Sequence, residues 1–250
     1  MAHEVVVPPP VASVYRVAHG PDPFAPRAWE HAHDDGTFGN RFDDPGGMLD
    51  PSNRRGVIPV ERRFRTIYFA TEAAGAFGET IARFRTSPRL WLDLKQIDDD
   101  DPLDPAMLGG EVPAAWRIQR LLGVTQLSPS LRFVDIAAPE TRTWLTREFA
   151  PLLAALEVSD LDLTAVMDKR LRRLTQEIAR FVFEQTDDMS GTPAFAGLRY
   201  LSRLHAGWEL WAVFADRLVH DPAPLRSILP DDVGLIDACA RLGLAPPQPF

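Results

Sequence analysis

The sequence predicts an α+β fold, on three observations. A strand runs directly into a helix between Arg65 and Arg85, further strand-like runs lie near both ends of the chain, and helical periodicity fills the stretches between. At 250 residues the chain can bury a substantial core, and a single core carrying an insertion is the expected organisation. Apolar residues at 45% with charged residues at 25% exclude a wholly disordered chain.

Residues 1–12 contain Pro8, Pro9 and Pro10, which cannot donate to a sheet interior, so an extended lead-in is expected with the fold beginning after it. The run from Ser13 to Ala18 reads as a strand with Tyr15 and Val17 on one face and Val14 and Arg16 on the other. Between Gly20 and Pro59 the frequency of Gly, Pro, Asp and Asn predicts long loops, and within them lies the run from Phe38 to Gly47. Ile67, Tyr68 and Phe69 suit a strand from Arg65 to Ala70. Thr71 is the expected N-cap of the helix that follows, whose Ala74, Phe77, Ile81 and Phe84 stack along one face. Glu79 lies off that face, where spacing alone reads it as a solvated carboxylate paired with Arg83.

Residues 86–157 are expected as an insertion, largely helical, with structure of its own. The run from Leu90 to Ile97 fits a strand or a helix equally. Asp98 to Asp101 lacks the alternating ligands and glycine turn of a calcium loop and reads as a solvated acidic loop. A helix is expected from Pro113 to Leu122, closed by Gly123. Leu131 to Ile136 reads as a strand, and Pro139 to Leu156 as a helix broken at Pro151.

The clearest amphipathic face follows, formed by Leu171, Leu174, Ile178 and Phe181. Arg170, Arg172, Arg173, Gln176 and Arg180 occupy its other side, expected either in solvent or as a docking surface for an acidic partner. Gly197 to Arg203 and Trp208 to Ala215 read as consecutive strands joined by a turn at His205, Ala206 and Gly207. The remainder, 221–250, is a proline-rich tail with one short helix around Val233 to Leu242.

Several chemistries are disfavoured. A net charge of −8 argues against nucleic acid as the main partner. Cys239 is the one cysteine and cannot close an internal disulfide, and the first ten residues lack both a basic start and a long apolar run. The cytoplasm is the expected compartment. No stretch approaches the roughly 18 consecutive apolar residues of a membrane span. Gly75 and Gly78 do not form a dinucleotide turn, there is no Walker lysine loop, and His31 and His33 lack a nearby third metal ligand. Ser202 stands outside a Gly-x-Ser-x-Gly elbow and by itself reads as a structural hydroxyl.

Three blocks nevertheless resemble the RES-domain family, named for an arginine, a glutamate and a serine. They are Gly39-Asn40-Arg41-Phe42, then Tyr68-Phe69-Ala70 leading to Glu79, then Gly197-Leu198-Arg199-Tyr200-Leu201-Ser202. Tyr15-Arg16-Val17, Asp162-Leu163-Thr164 and the apolar run from Leu210 to Phe214 accompany them. The resemblance implies an ADP-ribosyltransferase-like core over 13–220 and the toxin half of a toxin–antitoxin pair. Such toxins consume NAD+ by breaking its nicotinamide glycosidic bond, with water or inorganic phosphate as acceptor. NAD+ is then a substrate, with no resident cofactor and no metal.

On this reading Arg41 grips the pyrophosphate, with Arg16 as a second contact. Glu79 stabilises the oxocarbenium-like ribose, while Ser202 and Tyr68 orient the nicotinamide ribose and ring. The implied partner is an Xre-type helix-turn-helix antitoxin, and assembly of several copies is left open. Transfer of ADP-ribose onto a macromolecule, or a catalytically silent NAD-binding module, are the alternatives.

Overall fold

The computed structural model describes residues 5–33, 36–46, 59–86, 110–221, 224–245 and 247. The run from Leu90 to Ile97 and the acidic run from Asp98 to Asp101 lie outside them. An eight-stranded sheet forms the centre: β1 (Val6–Val7), β2 (Val14–His19), β3 (Thr66–Ala70), β4 (Arg120–Thr125), β5 (Phe133–Asp135), β6 (Gly197–Leu201), β7 (Glu209–Phe214) and β8 (Leu225–Ser227). Their order is β1-β5-β6-β7-β3-β2-β4-β8. Every pairing is antiparallel except β5 with β6, so the sheet is mixed.

Helices flank it, which makes the fold α+β. They are α1 (Ala73–Ile81), α2 (Ala114–Ile118), α3 (Pro139–Glu148), α4 (Ala150–Ala155), α5 (Leu163–Met167), α6 (Arg172–Glu184) and α7 (Val233–Leu242). Strand alternation sorts the side chains into two layers. One face carries Val17, Tyr68, Ala70, Leu198, Tyr200, Leu210 and Phe214 into the larger core, where α1 packs on β2 and α7 while α6 packs on β6. The other carries Val14, Ile67, Phe69, Trp211 and Val213 into a smaller core closed by Phe24. Among the described residues no helix is long and apolar enough to cross a membrane.

Several local expectations change. Val6 and Val7 pair with Val134 and Phe133, so the expected lead-in contributes an edge strand. The helix begun at Pro113 ends at Ile118, and residues to Thr125 form β4 along the whole of β2. Gly123 does not close that helix. It sits mid-strand, where an added Cβ would come within 2.6 Å of the Phe24 ring. Residues 120–125 and 133–135, both inside the range expected as an insertion, are therefore strands of the central sheet.

Thr71 does not cap α1, because its N–H and hydroxyl both donate to the Glu209 carbonyl of β7, and Glu72 takes the cap position. The largest change concerns α6. Arg170 and Arg172 face water as expected, but Gln176 and Arg180 of the same basic set are buried beneath the loop of residues 39–46. The expected tail also contributes an edge strand, since Leu225–Ser227 pairs with β4 as β8. Elsewhere the elements follow the pattern read from sequence. Phe149 breaks the helix ahead of Pro151, and α7 runs from its Asp232 cap to Gly243 in the left-handed conformation.

Candidate functional site

The loop of residues 39–46 begins and ends on glycines with left-handed backbone, Gly39 at φ 75° and Gly46 at φ 75°. Two adjacent acids tie it down. The Asp43 carboxylate accepts from Asn40 N–H at 2.7 Å and from the Tyr68 hydroxyl at 2.9 Å. Phe42 N–H donates to that same hydroxyl, and Thr66 donates to the Phe42 carbonyl, which stitches the loop to β3. The neighbouring Asp44 carboxylate turns the other way. It accepts from Arg63, from Arg180 at 3.1 Å and from the backbone of Phe64, with Arg180 and Asp44 both nearly devoid of solvent contact. A buried pair of this kind survives only when hydrogen bonds complete its shell, and here they do.

Arg41, between these anchors, is held loosely by comparison. Its Nη2 donates to the Met167 carbonyl at 3.4 Å, while Nη1 is buried with no hydrogen-bond partner among the described residues. The guanidinium carbon stands 5.5 Å from the Tyr200 ring centroid and 6.0 Å from that of Phe42. A buried guanidinium nitrogen without a partner is an uncompensated cost that an anion can relieve.

Glu79 projects from the exposed side of α1 and accepts from Ser202 Oγ at 2.6 Å. Arg83, its expected partner, lies over the Phe84 ring. Close approach of α1 to the β6–β7 turn makes the contact with Ser202. At Gly78 an added Cβ would fall 2.2 Å from the buried Trp208 ring, so only glycine admits this packing. Ser202 is buried, and its hydroxyl also accepts from Leu204 N–H at 3.0 Å. With its single proton directed at Glu79, it orients a carboxylate and is poorly placed to attack a ligand.

Arg41, Tyr68 and Glu79 line one cleft of about 270 Å³, together with Gly39, Asn40, Thr80, Asp168, Lys169, Arg172, Tyr200 and Arg203. Its rim is cationic. Lys169, Arg172 and Arg203 are exposed, while Asp168 is neutralised by Arg170, whose side chain holds the carboxyl below its ordinary range. Two hollows of about 460 and 830 Å³ lie elsewhere, and neither is lined by Arg41 or Glu79.

Arg16 does not join this cleft. It shares the strand face of Val14, donates to the Tyr68 carbonyl at 3.4 Å, and has its pKa pushed down to about 10 by burial. Tyr68 lines the cleft with its hydroxyl already committed to the loop; burial, and then Asp43, push its pKa well above the ordinary value. Only its ring is left to face a ligand.

No family model matches the chain, and no curated protein matches it. Among solved structures the chain is similar to the crystal structure of the M. tuberculosis MbcT-MbcA toxin-antitoxin complex, at 14% identity over 89% of this chain and 87% of that one, with a TM-score of 0.41.

Sequence reasoning passed over Asp43, Lys169, Arg203 and Tyr200 as site residues. Asp43 carried the one usable signal, an acid between an aromatic and a second acid in a loop already singled out. Lys169 and Arg172 stood within a basic run whose place beside Arg41 depends on the tertiary fold.

Proposed function

We propose that the cleft binds NAD+ and breaks the bond between nicotinamide and ribose, within a core of ADP-ribosyltransferase type such as the RES-domain resemblance implies. The observation that carries this reading is the pairing of unlike groups in one cleft. Glu79 is fixed by a buried hydroxyl, and Arg41 presents a buried nitrogen with no partner among the described residues. The carboxylate suits a cationic ribose, and the guanidinium suits a pyrophosphate.

In the reaction the C1′–N bond breaks and its electron pair leaves with nicotinamide, which discharges the pyridinium. The ribose is left as an oxocarbenium-like cation. Glu79 faces that charge, and Ser202 keeps the carboxylate from swinging away as it develops. Water or phosphate then attacks C1′, and water gives up a proton as it does so. Arg41 and the rim cations hold the pyrophosphate through both steps. In this reading the chain is a toxin, and its natural partner is a small helix-turn-helix antitoxin.

Purified protein incubated with NAD+ is expected to release nicotinamide, and mass spectrometry with and without phosphate identifies the acceptor. Free ADP-ribose indicates water, its 1″-phosphate indicates phosphorolysis, and a mass increase on a macromolecule indicates transfer. Glu79→Gln is expected to lower turnover by about 100- to 1,000-fold, the range for loss of one preorganised electrostatic group, with the melting temperature preserved. A wild type that leaves NAD+ intact both with and without phosphate overturns the reading.

A further inference from the structure

The guanidinium of Arg41 has little to hold it by hydrogen bonding, yet its position decides what the cleft can bind. Among the described residues its one acceptor, the Met167 carbonyl, lies at 3.4 Å, and Nη1 has none. What it does have is an aromatic floor. Tyr200 on β6 lies with its ring centroid 5.5 Å from the Arg41 guanidinium carbon. Phe42 meets Tyr200 edge-on at 4.8 Å, which fixes the tilt of that floor. Tyr200 is 7% exposed and lines the cleft beside Glu79.

We propose that Tyr200 is a positioning residue, whose ring carries the Arg41 guanidinium and so leaves its N–H edge aimed at the pyrophosphate of an incoming dinucleotide. Attraction between a guanidinium and an aromatic face uses the π surface of the cation and occupies none of its donors. A salt bridge in the same place would consume the N–H groups that a phosphate needs. The arrangement therefore fixes the arginine while keeping its hydrogen-bonding capacity unspent.

Tyr68 cannot take this part, because its hydroxyl and position are committed to Asp43 and the Phe42 amide. The Tyr200 hydroxyl stays protonated. Burial, and then Glu79, raise its pKa, so it remains a neutral donor across the working pH range. Substitution by phenylalanine keeps the floor and removes only this hydroxyl.

This inference rests on the proposed dinucleotide site, and inorganic pyrophosphate provides a probe that does not require turnover. Calorimetric titration of the wild type with pyrophosphate is expected to show binding. Tyr200→Leu is expected to weaken it by about tenfold, the upper part of the range for a partly buried cation–aromatic contact, whereas Tyr200→Phe stays within about twofold. Arg41→Lys replaces the flat cation with a point charge. In that background the leucine substitution is expected to have little further effect, because Tyr200 acts through Arg41. A merely structural tyrosine would weaken both backgrounds equally.

Additive losses, an unaffected Tyr200→Leu, or a wild type that does not bind pyrophosphate each overturn the assignment. Tyr200→Met serves in the same cycle if the leucine variant fails to fold. Nicotinamide release is read separately. Pyrophosphate coupling without release upholds the role of Tyr200 and overturns the NAD+ reaction, while release with additive losses does the reverse.

Discussion

Ser202 and Glu79 are separated by 123 positions and meet through one hydrogen bond of 2.6 Å. A charge-assisted bond of this kind contributes about 1.5–3 kcal/mol, so Ser202→Ala is expected to reduce nicotinamide release by about 10- to 100-fold. The effect should fall on kcat, since a freely rotating Glu79 still admits substrate. An unchanged kcat would remove Ser202 from the mechanism. Asp43 gives a second expectation at this scale. Burial raises its carboxyl above the ordinary 3.8, against opposing hydrogen bonds from Asn40 and Tyr68. A carboxyl raised in the folded state binds its proton more tightly there than in the unfolded chain. Its contribution to stability is full below pH 3.8 and is lost as the pH climbs through the folded value. The melting temperature of the wild type minus that of Asp43→Asn should therefore fall as the pH is raised from that value. A flat or rising difference contradicts the shift. Neither the Ser202–Glu79 nor the Asp43–Tyr68 pairing could be read from residue type, because the partners lie on different elements.

Elements were more legible than contacts. The bounds of α7 could be read because an aspartate cap and a glycine stop stand at its ends, and the paired strands β6 and β7 because their apolar runs flank a turn. The element β4 was misread because Gly123, a plausible helix stop, is instead a small residue beneath Phe24. The basic side of α6 was misread for a different reason. Arg180 looked solvated, while the acid that buries it, Asp44, is 136 residues upstream. Arg180→Met is expected to lose about 3 kcal/mol in urea unfolding, since it leaves Asp44 buried with an incomplete shell. Adding Asp44→Asn should recover part of that loss by removing the stranded charge. An Arg180→Met protein as stable as the wild type would show that the ion pair does not hold the loop. Of the candidate site, the three blocks could be found in sequence, but the exclusion of Arg16 required knowing which sheet face it shares.

At the scale of the molecule, a chain of net charge −8 concentrates Arg41, Lys169, Arg172 and Arg203 around one cleft. An anionic substrate is drawn to such a patch by a field that salt screens, over about 10 Å at 0.1 M. The KM for NAD+ should accordingly rise several-fold between low and high salt with kcat little changed, and a KM indifferent to salt would deny the rim a role in capture. The mixed sheet places this rim at a meeting of distant segments, which explains why charge totals alone argued only against nucleic acid. The loop that bears Arg41 shows what this design restricts. It is moored by Asp43 to a strand and by Asp44 to a helix, so neither mooring is local to it. Grafting these few residues onto another scaffold would transplant the arginine without its aim. Tyr68, Arg63 and Arg180 would have to travel with it, and the smallest portable form of the site is a set of three packed elements.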